Sequence, residues 1–370
     1  MSCFEKDLKK LGFGLMRLPK TEDDNIDIAQ VCDMVDDFMS RGFKYFDTAW
    51  IYNGGKSEEA AREALVKRYP RESFLLATKL AAWAGDKTRE AALKQFEDSL
   101  ERSGAGYFDY YLMHNLGGDR TALYDEWGIW DFADELKKKG LIRHLGISFH
   151  DRAEALAPIL EAHPEIEFVQ LQINYKDWDH PDIQSRLCYE TARKYGKDII
   201  VMEPVRGGGL ASLPEKAADI LSALDPKASQ ASYAIRYAAS LEGVRMVLSG
   251  MSNVEQMRDN LSYMEDFRPL DEREKQAIEQ VRAILGAIPS VPCTSCGYCK
   301  KGCPTGIEIP EIFAAMNTYL SGEKEKAAEE YASLCSSAAD CIACGQCEGV
   351  CPQLIPIIDR LGKAATIFNK

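Results

Sequence analysis

Two copies of one cysteine pattern constrain this chain more than anything else in it. Cys293, Cys296, Cys299 and Cys303-Pro304 read C-x2-C-x2-C-x3-C-P, and Cys341, Cys344, Cys347 and Cys351-Pro352 read it again. Three thiolates spaced this way on a tight loop can wrap one corner of an iron–sulfide cube. The fourth, pinned by its proline, points toward a second cube. The spacing therefore predicts one 4Fe–4S cluster on Cys293, Cys296, Cys299 and Cys351, and another on Cys341, Cys344, Cys347 and Cys303. Zinc usually takes its ligands as two separated pairs, which is not this arrangement. Gly297, Gly302 and Gly345 let the backbone approach the sulfides. Of the 12 cysteines, only Cys3, Cys32 and Cys188 lie before this block. Cys335 falls outside both motifs and reads as a small buried hydrophobe on a helix.

The rest of the chain has a different rhythm. Short apolar or β-branched runs at 12–16, 45–48, 74–78, 109–113, 144–147, 168–172, 199–202 and 245–248 read as buried strands. Helical periodicity follows each, at 26–41, 57–68, 89–103, 125–139, 152–162, 183–195, 227–240 and 254–264. Eight such pairs predict an α/β fold, a (β/α)8 TIM barrel. A doubly wound sheet would carry G-x-G-x-x-G after its first strand, and Gly12-Phe13-Gly14 does not match it. The expected domains are the barrel over 1–269, a connecting helix and Pro-rich linker over 270–292, and a small, mainly helical iron–sulfur domain over 293–370. With 45 basic against 58 acidic side chains, a nucleic-acid surface has no support. No apolar run is long enough to span a membrane, and Met1-Ser2-Cys3-Phe4-Glu5-Lys6-Asp7 has no signal-peptide core, so a cytoplasmic address is expected. A reducing compartment favours metal over disulfides for the cysteine block.

Several strands end in an isolated polar residue: Asp47, Lys79, His114 and Ser148. Catalytic groups of such barrels sit at these C-terminal ends. Tyr52 follows Asp47 on the first loop. A buried Lys79 paired with Asp47 would favour the phenolate of Tyr52 and lower its pKa. Tyr52 could then give a proton to a developing alkoxide, with His114 donating a hydrogen bond to the same oxygen. That set suits reduction of an aldehyde or ketone by a hydride cofactor. Trp50, Trp83 and Trp178 read as packing residues that could also line the mouth.

Gly42-Phe43-Lys44-Tyr45-Phe46-Asp47-Thr48-Ala49 and Tyr52-Asn53-Gly54-Gly55-Lys56-Ser57-Glu58 resemble the first signature of the aldo-keto reductases. The resemblance covers about residues 8–265, and Asp47, Tyr52, Lys79 and His114 match the family's catalytic tetrad. It implies NADP or NAD extended over the barrel mouth. Ser148 and Gln170 would hold the carboxamide, and Gly207, Gly208 and Gly209 would approach the pyrophosphate. Gly250, Ser252, Gln256 and Asn260 would form the clasp. Phe149 and His150 follow Ser148 where many members have Asn. Met202 stands at the stacking aromatic and Gln256 at the basic residue that grips a 2′-phosphate. These departures leave NADP against NAD open and leave room for a flavin. The tail resembles the α-helical dicluster ferredoxins of succinate dehydrogenase-type subunits. The functions implied are reduction of a small carbonyl, or oxidation of the alcohol, with NAD(P)H, and electron exchange with a redox partner such as ferredoxin. A nicotinamide-sensing subunit and purely structural clusters are the alternatives.

Overall fold

The computed structural model describes residues 2–368 of the 370-residue chain. It divides into two compact units, Met1–Pro204 with Ala231–Asp271, and Val205–Gln230 with Glu272–Lys370.

In the first unit eight parallel strands close into a barrel in chain order: β1 (Leu11–Gly14), β2 (Tyr45–Asp47), β3 (Leu75–Leu80), β4 (Phe108–Leu116), β5 (Ile142–Phe149), β6 (Phe168–Gln172), β7 (Asp198–Met202) and β8 (Val244–Ser249). β8 pairs back onto β1, so no edge is left open. All eight expected strands are present and the doubly wound alternative is excluded. Two helical expectations need correction, and one helix was not expected. The expected helix over 125–139 is two, Arg120–Glu126 and Ile129–Lys138, because Gly128 takes a positive φ of 61°. The one over 57–68 is Lys56–Ala61 continued by a π turn, Arg62–Val66. A helix at Glu215–Ser222 had no counterpart in the sequence reading.

Alternation along each strand decides what lines the barrel. Tyr45, Ala77, Tyr110, Leu112, Phe168, Ile200, Met246 and Leu248 form its packed interior with Phe4. Phe4 stacks on Tyr110 at 4.8 Å and plugs the N-terminal end of the barrel. Two residues further along the same strands, the inward parity falls on Asp47, Lys79, His114, Gln170 and Met202. Below them, Cys3, His144 and Glu167 converge within 4.8 Å of one another at the strand starts. Their carboxylates are already engaged: Glu167 takes His144 Nδ1 at 2.8 Å and Lys137 at 2.5 Å, and Asp198 beside them takes Arg245 at 2.9 Å. This group is a charge-balanced latch for the N-terminus.

The second unit has its own core: Val291, Ile307, Ile309, Ile312, Phe313, Met316, Ile355, Ile357 and Leu361, together with Cys299, Cys347 and Cys351. Helices Ile309–Leu320, Lys324–Ala332 and Ile357–Phe368 surround it. Cys335 is a correction: it lies beyond the helix, is exposed, and donates its backbone N–H to Glu308.

Gly146 sits on β5 beneath Ser148, and a Cβ there would meet the Phe168 ring at 2.4 Å. Overpacking at such a site costs about 1–3 kcal/mol. Gly146→Ala is expected to lower the unfolding free energy of the barrel by that amount, read as a lower urea midpoint. Phe168→Leu in the same chain should restore part of it, read as a positive coupling in a double-mutant cycle.

Candidate active site and cluster cradles

The strand parity brings Asp47, Lys79 and His114 together, each buried. Lys79 Nζ donates to Asp47 Oδ1 at 2.5 Å and to the Thr48 carbonyl at 2.6 Å. Burial pulls Lys79 down and pushes Asp47 up, and each charge opposes the shift in the other. Asp47 Oδ2 is buried with no hydrogen-bond partner among the described residues. Tyr52 begins a short turn after β2. Its ring lies 4.8 Å from Lys79 Nζ and 5.7 Å, edge-on, from the His114 ring. Asn53 and Gly54 take positive φ values of 50° and 69° in that turn, which swing the ring over the mouth.

His114 is held by residues that the sequence reading did not single out for it. Trp83 Nε1 donates to its carbonyl at 2.9 Å, and Tyr124 Oη does so at 2.6 Å. The Trp83 ring also meets the imidazole edge-on at 5.9 Å. Burial, then the charges of Lys79, His150 and Arg120, hold His114 well below the usual imidazole range. It is a neutral ring at neutral pH. Trp50 and Trp178 are instead packing residues: Trp50 lies under Arg102, and Trp178 meets Tyr189 and Tyr237.

Ser148 and Gln170 are paired in register across β5 and β6, and both are buried. Ser148 Oγ accepts the Asn115 N–H at 2.7 Å, and Gln170 Nε2 reaches Met202 Sδ at 3.4 Å. Gln170 Oε1 is buried and without a partner among the described residues, so an acceptor stands open at the position where a carboxamide N–H₂ is expected. Those residues fit a nicotinamide. Asn115 belongs beside them. It is fully buried at φ 58°, with both side-chain polar atoms unsatisfied among the described residues. Only the tolerance of Asn for positive φ could have pointed to it.

After β8, Asn253 caps the helix Val254–Met264 by accepting from Gln256 N at 2.8 Å, and Gln256 Oε1 accepts from Ser252 N at 2.8 Å. Ser252 Oγ donates to the Arg17 carbonyl at 2.8 Å, and Gly250 packs against the Arg17 side chain. Asn260 donates to Ser249 Oγ at 2.7 Å. Arg258 is committed to Asp37 at 3.0 Å. Arg17, which forms an ion pair with Glu203 at 3.6 Å, is the cation that the sequence reading overlooked here.

Gly207, Gly208 and Gly209 fall in the second unit. Gly207 has φ 63°, and a Cβ there would sit 2.6 Å from the Thr294 carbonyl, beside Cys293. Its bareness is thus required by a contact with the cysteine block, a reason that the sequence did not disclose.

Two cavities lie among the eight cysteines. One is lined by Cys293, Cys296, Cys299 and Cys351 with Pro352 and Ile355. The other is lined by Cys303, Cys341, Cys344 and Cys347 with Ile307 and Leu361. Each holds three cysteines of one motif and the last of the other, the crossed sets expected from spacing. Ser295 N donates to Cys293 Sγ at 3.4 Å, and Ile307 N to Cys303 Sγ at 3.4 Å, bonds that favour thiolates. Soft thiolate sets around cavities of this kind suit iron–sulfur clusters.

The chain belongs to the aldo/keto reductase family, whose model matches residues 10–283, and a 4Fe-4S dicluster domain matches residues 292–355. Among curated relatives, "Uncharacterized oxidoreductase YqkF" of Bacillus subtilis is 25% identical over 74% of this chain and 92% of its own length. An aldo-keto reductase of Mycobacterium sp. (strain MCS) is 29% identical over 63% of this chain and 76% of its own. The holo aldo-keto reductase AKR11C1 of Bacillus halodurans is similar in structure, with a TM-score of 0.56 and 25% identity over 74% of this chain and 91% of that one. An aldo-keto reductase of Klebsiella pneumoniae, solved in complex with NADPH, shares the fold with a TM-score of 0.58 and 19% identity, over 74% and 91% of the two chains. The chain is therefore an oxidoreductase of this family with a dicluster domain at its C-terminal end.

Removing one partner of a buried ion pair strands the other charge, at about 3–5 kcal/mol. Lys79→Met should lose stability on that scale in urea unfolding. Asp47→Asn/Lys79→Met should lose distinctly less than the sum of the single changes, because no buried charge is left alone.

Proposed function

We propose that the barrel reduces an aldehyde or ketone, or oxidises the corresponding alcohol, with NAD(P)H, and that two 4Fe–4S clusters in the second unit carry electrons. The observation that carries the first part is the buried Lys79–Asp47 pair beneath Tyr52 and beside a neutral His114.

NAD(P)H, when bound, supplies the hydride. Ser148 and Gln170 would hold its carboxamide, with Gln170 Oε1 as the open acceptor and Asn115 as a neighbour. Gly250, Ser252, Gln256 and Asn260 would border its far end, and Arg17 would offer the positive charge that Gln256 lacks. Tyr52 gives its hydroxyl proton to the carbonyl oxygen as negative charge builds there. The charge of Lys79 favours the resulting phenolate. His114, neutral, donates an N–H to the same oxygen and orients the carbonyl, at no cost in charge repulsion with Lys79. Asp47 fixes the Lys79 amine and balances its charge.

The second part rests on the two four-cysteine cavities. A hydride moves two electrons and a cluster moves one, so a flavin between them is the second reading, in which the chain is a ferredoxin-linked oxidoreductase. Anaerobically purified protein separates the two. A flavin absorbance band together with substrate-driven cluster bleaching supports the second, and carbonyl-dependent NAD(P)H oxidation without a flavin supports the first.

Tyr52→Phe is expected to lower kcat/KM for carbonyl reduction by about 10²–10⁴-fold while leaving NADPH binding unchanged. Retention of full activity would remove Tyr52 from the acid role. Cys351→Ser should abolish the low-temperature EPR signal of the cluster on Cys293, Cys296 and Cys299, although Cys351 belongs to the other motif in sequence. Cys303→Ser should abolish the signal of the cluster on Cys341, Cys344 and Cys347.

A further inference from the structure

The two cysteine motifs are the same in sequence but differ in what surrounds them. The cavity of Cys293, Cys296, Cys299 and Cys351 is walled by buried residues: Cys299 and Cys351 themselves, Thr294, Pro352, Gln353 and Ile355. Its loop is closed over by Gly207, whose approach to the Thr294 carbonyl leaves no room even for a Cβ. Arg206, next to Gly207 on the same loop, is also buried. The loop that carries both follows β7 in the chain.

The other cavity is enclosed to a similar degree, but the loop beside it stands in solvent. Cys344 is exposed, and Pro304, Thr305, Gly306 and Ala343 around it are exposed as well. Ile342, between two of the ligands, is 63% exposed, well above the 41% of Leu187 and 37% of Leu354 among large apolar side chains. Among the described residues, no charged side chain lines this cavity. An apolar side chain held in water beside a cluster ligand has no packing role to explain it.

We propose that the loop 341–345 is the port at which electrons enter and leave this protein, one at a time, and that the cluster of Cys293, Cys296, Cys299 and Cys351 is an inner station shielded from outside carriers. The inference rests on the reading of the two cavities as 4Fe–4S sites. The step moves one electron and breaks no bond: an external one-electron carrier loses it, and the outer cluster gains it.

The test begins with the unaltered holoprotein. Reduced protein is frozen with and without an aqueous paramagnetic chelate, and EPR relaxation of the two clusters is compared. The cluster lost in Cys303→Ser should relax faster with the chelate, and the one lost in Cys351→Ser should not. Equal enhancement of both, or enhancement of the inner one alone, overturns the port. Charge is then placed at the rim. Ile342→Glu should slow reduction by anionic dithionite several-fold at low salt and speed reduction by cationic reduced methyl viologen. Ile342→Lys should do the reverse, with both effects fading as salt rises. Leu187→Glu, on the barrel, should change neither rate. Rates that ignore the charge at residue 342 overturn the port even when both clusters are present. Protein that holds no reducible iron–sulfur cluster overturns the reading beneath it as well.

Discussion

Lys79 and Asp47 are held together where water does not reach, and much of the barrel mouth follows from that. Burying two charges is costly, and the attraction between them repays it only when geometry and further hydrogen bonds are favourable. Here Nζ meets Asp47 Oδ1 and the Thr48 carbonyl, and the Tyr52 ring covers the remaining side. Such an arrangement fixes the register of β2 against β3, since a slip of one residue would turn one charge toward the apolar shell of helices. It also fixes His114. Burial and the nearby lysine charge keep the imidazole neutral, as the proposed donor role requires. The interaction is therefore a constraint on the fold and a setting for the chemistry at once.

The second unit is built on a different economy of contacts. The helices around its cysteine core are short, and cysteines are part of that core. Isolated helices of this length are marginal in water. Metal–thiolate bonds would join segments that helix packing alone holds weakly, and a bound cluster would contribute directly to folding. The exchange of the last cysteine between motifs makes this stronger: each cavity ties the start of the unit to its end.

Legibility in the sequence tracked the range of the interaction. The polar residues that end apolar runs, Asp47, Lys79 and His114, were legible locally, Gln170 came from the family resemblance alone, and the barrel needed only the count of strand–helix pairs. The crossed cysteine sets were legible because thiolate spacing is local chemistry. What escaped depends on neighbours distant in the chain. Gly207 looked like a cofactor turn, yet its bareness is used by Thr294. Arg17 showed no signal because its relation to Gly250 and Ser252 exists only once β8 pairs with β1. Asn115 follows the catalytic-looking His114 and hides behind it; its strained backbone and unsatisfied amide have no periodic signature. The residue Cys335 was misjudged for a related reason. Composition suggested a helix face, but the chain had already left the helix to reach the second motif.

Sequence symmetry and physical symmetry part company at the two clusters. A repeat specifies ligands, and ligands specify cluster type. They do not specify potential or access, which depend on hydrogen bonds to sulfur, nearby charge and exposure to solvent. The backbone bonds to sulfur match, but the surroundings do not. One loop is closed over by Gly207, and the other carries an exposed cysteine and the exposed Ile342. On the proposed path, the exposed loop is where outside carriers meet the protein, and the covered site is reached through it. The residues that create the inequality, Gly207 and Ile342, are not ligands, so the proposed point of exchange is set apart from the cysteine pattern.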